Sequence, residues 1–178
     1  MKRAAARAFT ERRYLIGAVC ALLLLAAGAW LYQSYFSQEA RELREASAAF
    51  KTGRFVTAVR LVEPYAARGS AEAETWLAMA YAFGHGVPRD RDRAKTYYLS
   101  AQGERAGKSF YWVAEQFDHG AAYVPVDHFE ALSWYAAAAE MGERRAQRVL
   151  ARAFREGLYG VYPDPTAAQF WARKAGDQ

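Results

Sequence analysis

A single cysteine, Cys20, excludes a disulfide framework and any zinc site built on several thiolates. Three histidines, His85, His119 and His128, leave little for metal or acid–base chemistry. No serine stands in a recognisable nucleophile motif. Short glycine patterns such as Gly84-His85-Gly86 join two helical stretches rather than a strand and a helix, which excludes a phosphate loop. At 178 residues the chain is too short for a two-domain enzyme, and with 53% apolar and 15% aromatic residues it is too apolar to be disordered. Basic charge is scarce where a nucleic-acid surface would need it. Of the net +5, residues 1–13 carry +4, from Lys2, Arg3, Arg7, Arg12 and Arg13 against Glu11; the remainder is nearly neutral. No nucleic-acid partner is therefore expected.

Charge is also missing from Tyr14 to Gln38. Residues 14–32 are dense in Leu, Ala, Ile and Val, and nineteen helical residues span roughly 28 Å, about one bilayer core. Tyr14, Trp30 and Tyr32 stand at the ends of the stretch, where amphipathic rings favour the interface. Basic residues precede it, and mixed charges (Glu39, Arg41, Glu42, Arg44, Glu45) follow. The bias predicts a single-pass inner-membrane helix with a cytoplasmic tail at 1–13 and the rest of the chain on the periplasmic side. A cleaved signal peptide is the alternative: Leu15 to Ala26 would be its apolar core and Ala27-Gly28-Ala29 its cleavage site.

The exported part repeats. Asp90, Asp127 and Asp164 are spaced by 37, as are Val87, Val124 and Val161; Ala94, Ala131 and Ala168; and Tyr97, Trp134 and Trp171. Gly84, Gly120 and Gly157 keep nearly the same interval, and Leu77, Val113 and Leu150 align upstream with the aromatics Tyr81, Phe117 and Phe154. Each unit reads as helix–loop–helix. In the first, a helix over about 71–83 stops at Gly84, whose freedom at positive φ suits a helix end. After the Gly84-His85-Gly86-Val87-Pro88 turn, Asp90 caps a second helix. One such hairpin cannot shield its own apolar side, so the units are expected to stack. The segment 38–69 reads as an irregular leading unit with a shorter turn at Gly53; Pro64 should kink or end its second helix.

These residues resemble the Sel-one-like repeat (SLR) family, tetratricopeptide-like (TPR-like) α-solenoids. The first unit matches through Leu77, Ala78, Tyr81, Gly84, Gly86, Val87, Pro88, Asp90, Ala94, Tyr97 and Tyr98; the second through Trp134, Tyr135, Ala138, Ala139 and Gly142; the third through Gly157, Gly160, Val161, Asp164 and Trp171. In the second unit Ala122 replaces the turn's second glycine and one residue is inserted. The resemblance implies an all-α solenoid with a degenerate TPR-like repeat at 38–69 and SLR repeats at 70–105, 106–142 and 143–178. It also implies that the first helix of each pair lines a concave groove, at Glu72, Thr75, Met79 and Ala82; Lys108, Tyr111, Glu115 and Asp118; and Arg145, Arg148, Arg152 and Arg155.

Arg148, Arg152 and Arg155 follow helical spacing, and a row of guanidinium forks suits carboxylates or phosphates. One reading is a groove for an acidic peptide segment or a chain terminus, with Tyr111 and Met79 giving apolar contact. The other is a solvated face paired with Glu115, Asp118, Glu143 and Glu156. His119 and His128 flank a loop whose spacing fixes no metal geometry, and His85 falls at a turn position where a solvent-exposed place is expected. No metal, cofactor, small-molecule substrate or enzymatic role is expected. Protein partners and one helix in the lipid bilayer are. The expected function is an anchored adaptor or scaffold in assembly of an envelope complex, such as one for secretion, pilus formation or polysaccharide export. The alternatives are a regulatory or stabilising subunit docking laterally on another inner-membrane protein, and a cell-wall-active enzyme.

Overall fold

The computed structural model describes the backbone of residues 2–176 and, within them, the side chains of 22–34 and 37–176. Among the described residues the helices follow in the order α1 (Lys2–Lys51), α2 (Phe55–Ala66), α3 (Ala71–Phe83), α4 (Arg91–Gln102), α5 (Ala106–His119), α6 (His128–Glu140), α7 (Arg144–Glu156) and α8 (Pro165–Ala175). The chain divides into two units, Met1–Glu42 and Leu43–Gln178.

The first unit is helical, as part of α1. Its described apolar side chains are exposed: Leu22, Leu23, Leu24, Leu25, Trp30, Leu31 and Tyr32 are 60–74% exposed. Among the described residues no helix is long and apolar enough to cross a membrane. Of the expected span 14–32, the side chains of 14–21 lie outside the described residues, as do those of the basic tail at 1–13.

The second unit is a run of helical hairpins. The last turns of α1 bury Leu43, Ala46, Ala49 and Phe50 with Ala58, Val59, Val62 and Tyr65 of α2. Helix α2 carries Pro64 inside its final turn and stops two residues later. The helix thus ends within one turn of the proline, which has no N–H to offer the Arg60 carbonyl four residues back. Then α3 pairs with α4, α5 with α6 and α7 with α8, and the main contacts run between chain neighbours, as in a solenoid.

One device recurs at all three turns. The carboxylate of Asp90 accepts from the amide of Arg93, that of Asp127 from Glu130, and that of Asp164 from Thr166 and Ala167. The same aspartates donate their own amides backwards, to the carbonyls of Tyr81, Phe117 and Phe154 at 2.7–2.9 Å. Each aspartate thus opens the second helix and ties it to the last turn of the first. Upstream, Gly84 and Gly157 end α3 and α7 at φ near 74°, conformations that an L side chain resists.

The core is built from small and large residues in alternation. Ala78, Ala94, Ala106, Ala114, Ala131, Ala138 and Ala146 are wholly buried, which lets helices approach closely. Trp134, Tyr98, Tyr135 and Phe117 fill the space that remains. Two buried polar groups bond between elements: Ser100 donates to Glu74 at 2.8 Å, and Gln147 donates to the Ala139 carbonyl at 3.0 Å.

Replacing Asp164 with alanine strands two amides of α8 and should cost about 1 kcal/mol, within a usual range of about 0.5–2. Thermal unfolding followed by circular dichroism should show a melting point lowered by a few degrees. Asp127 adds a pH signature. The Glu130 amide, and after it Arg89, hold its carboxyl below the ordinary value of 3.8. Its contribution is complete above that value and is lost as pH falls through the lower folded value. The gap in melting temperature between the wild type and Asp127→Asn should therefore shrink on acidification below about pH 4.

Candidate functional site

Helix α5 separates two hollows. Residues one place apart line opposite sides: Tyr111 and Glu115 face one, Trp112 and Gln116 the other.

The first hollow, about 320 Å³, lies between α5, α6, α7 and the loop after α7. Its floor is organised by Asp118, whose side chain is 12% exposed. The hydroxyls of Tyr159 and Tyr135 donate to one carboxylate oxygen at 2.8 and 3.1 Å, and His128 Nδ1 lies 3.4 Å from the other. Burial, with the Asp118 charge beside it, pushes both tyrosine hydroxyls far above their usual range, so they remain donors. Tyr159 holds φ 58°, a left-handed conformation that costs a non-glycine residue about 1–2 kcal/mol and brings its hydroxyl to the carboxylate.

Above this floor stand Arg148 and Arg152 of α7, with Tyr111 and Glu115 of α5. Arg152 Nε lies 3.5 Å from Glu156 in an exposed pair along the helix. Arg145 Nε bonds Glu143 at 3.1 Å, and its guanidinium rests on the Tyr111 ring at 4.2 Å. Tyr111, Glu115, Arg148 and Arg152 thus come together as expected, with Arg145 beside them. The other groove positions do not join them. Arg155 lines a separate shallow hollow with Pro165, Ala168, Gln169 and Ala172 of α8, and Met79 lies across α5. Thr75 donates to its own helix at the Ala71 carbonyl, and Lys108 is exposed near the start of α5. Ala82 is core rather than groove, because its side of α3 packs inward with Ala78.

The second hollow, about 380 Å³, takes in only Met79 of the groove positions expected from the sequence. It is lined by rings from several elements. Phe50 stacks on Trp76 at 5.0 Å and Phe55 on His85 at 4.0 Å; Tyr123 meets Phe55 edge-on at 5.2 Å, and Phe83 meets Trp112 edge-on at 5.8 Å. His85 is half-buried rather than solvent-exposed, because the preceding hairpin brings Phe55 against its ring. Its Nε2 lies 3.2 Å from the Tyr123 carbonyl, and burial lowers its pKa below the usual imidazole value. Tyr123 itself holds φ 64°. Mutual backbone bonds between Ala121 and Val124 close a two-residue turn around it. Gly86, Tyr123 and Gly160, spaced by 37, all have positive φ, so the residue standing in for the second glycine is Tyr123 and not Ala122. A signal was present: Trp76 and Trp112 share one register position, at which the third repeat has Val149. Among the described residues no three of His, Cys, Asp and Glu converge as a metal group would require.

Stacked helical hairpins whose hollows are lined by side chains from neighbouring units define an α-solenoid of the TPR-like class. The chain belongs to the Sel1 repeat family: three Sel1 repeats match at residues 71–101, 110–143 and 144–178, more than half of its length. Among the solved structures similar to it are two that are each 26% identical. One is a protective antigen present in uropathogenic Escherichia coli strains displaying an SLR fold, with a TM-score of 0.42 over 80% of this chain and 33% of that one. The other is a Sel1 repeat protein from Oxalobacter formigenes, with a TM-score of 0.40 over 78% of this chain and 58% of that one. The chain therefore spans about a third of the first and somewhat over half of the second. No curated protein matches it. Sel1 repeat proteins generally mediate protein–protein interactions.

Asp118→Ala should destabilise the protein by about 2 kcal/mol, since it leaves the buried Tyr135 hydroxyl without its acceptor. Tyr159→Phe, which removes one donor and keeps the ring, should cost about half as much. Chemical denaturation of both variants at neutral pH checks the ranking.

Proposed function

We propose that this protein is a membrane-anchored scaffold that uses its repeat region to hold another protein during assembly of an envelope complex. In this reading 14–32 is an uncleaved anchor, 1–13 lies in the cytoplasm and the repeats lie in the periplasm. The basic bias ahead of the charge-free stretch and the exposed leucines at Leu22–Leu25 support it. The observation that carries the binding half is the hollow beneath Arg148 and Arg152. Its largely buried carboxylate, Asp118, is already served by the hydroxyls of Tyr135 and Tyr159. The Arg152–Glu156 pair is exposed and worth only a few tenths of a kcal/mol. An acidic segment of a partner, or its terminal carboxylate, could replace Glu156 at little cost, with Tyr111 and Arg145 forming one wall.

A second reading, a regulatory subunit docking laterally within the bilayer, draws on the same exposed apolar face and on Gly28, beside which nothing lies within 4 Å. We assign no catalytic role; turnover of cell-wall fragments by the purified protein would overturn that assignment.

Arg148→Glu with Arg152→Glu should abolish co-purification of the partner in mild detergent while leaving the melting temperature within about 2 °C of wild type, as exposed charges contribute little to stability. Persistent capture by a folded double variant would refute the acidic-segment reading. The intact mass of the mature protein should retain residues 14–32; loss of everything before Trp30 would identify a signal peptide instead.

A further inference from the structure

The aromatic hollow lies apart from the arginine site, across α5. At about 380 Å³ it lies within the range of ligand sites, roughly 300–1,000 Å³, and its walls are ring faces and edges. Trp112, although part of α5, is 42% exposed, and Tyr123 holds a left-handed backbone where both sister repeats have glycine. Glycine would relieve that strain, so the fold alone does not ask for a tyrosine there. What the tyrosine supplies is a ring edge against Phe55 and a wall for the hollow.

From this we infer that the hollow is an anchor site for an aromatic side chain of an extended partner segment, held between Trp76, Trp112 and Tyr123. The charge of the lining selects the kind of segment. Lys51 is its single charged residue, which disfavours a cationic guest and favours a carboxylate beside the anchored ring. The place of the hollow sets a spacing. It shares α5 with the arginine site, Trp112 and Gln116 on one flank and Tyr111 and Glu115 on the other. A helix with its side chains is about 10 Å across and an extended chain advances about 3.3 Å per residue, so a segment crossing α5 places its aromatic and acidic residues about three or four apart. This spacing, unlike the anchor itself, rests on the acidic-segment reading above.

The test is selection of random twelve-residue peptides displayed on phage against the full-length chain in mild detergent. The expected peptides share a Phe, Tyr or Trp with an Asp or Glu three or four positions away. Trp112→Ala and Tyr123→Gly should each weaken their capture at least ten-fold, and Tyr123→Gly should melt no lower than wild type. Peptides with no common aromatic, peptides held equally by both variants, or a selection that enriches nothing would overturn the anchor site. Selection on Arg148→Glu with Arg152→Glu separates the two readings. There the acid three or four positions away should vanish, while the aromatic and any acid directly beside it, which Lys51 favours, remain. If wild-type peptides share the aromatic but no acid three or four positions away, the arginine reading fails and the anchor stands.

Discussion

The two-way bond of the capping aspartate is the constraint from which the rest follows. Its carboxylate receives the first amides of one helix and its own amide reaches back to the last turn of the helix before, at all three turns. The angle within each hairpin is thereby set by backbone chemistry rather than by the identity of core residues. Alanines at the crossing points can then be as small as they are, and the large rings can vary between repeats without altering the stack.

This explains why so much of the fold is legible in the sequence and so little of the aromatic hollow. A cap is a local signal. Asp90, Asp127 and Asp164 announce themselves at a fixed interval, and the span of α3 follows from Gly84 and the apolar positions before it. The hollow is assembled from α1, α2, α3, α5 and two loops, and only tertiary packing brings Phe50, Trp76 and Tyr123 together. His85 illustrates the difference: nothing in its own repeat demands burial, and the ring that covers it, Phe55, comes from the preceding hairpin. The loop of the second repeat misleads for another reason. Counting from Gly120 assigns the lost glycine to Ala122, whereas the mutual bonds of Ala121 and Val124 give positive φ to the residue after it.

The arginine site was legible in part. Helical spacing places Arg148 and Arg152 on one face, but the register of α7 against α8 draws Arg155 into a different hollow, and Arg145 turns aside to Tyr111 and Glu143. Asp118, read as one more groove carboxylate, does line the hollow, and as a largely buried acceptor it also fixes Tyr159 and Tyr135. Its position was visible in the sequence; of its partners, Tyr135 lies in α6 and Tyr159 is a loop residue in a conformation that spacing does not reveal.

Gly86 carries a consequence for how such chains diversify. A Cβ there would lie 2.7 Å from the carbonyl carbon and oxygen of Phe55, main chain against main chain, with no side chain able to yield. The joint between the leading hairpin and the first Sel1 repeat is thus a close fit of two peptide planes. Recombination that exchanged this hairpin for a foreign one would have to reproduce that fit, so the pair should be inherited as a single block, while the later repeats are freer to be duplicated or traded.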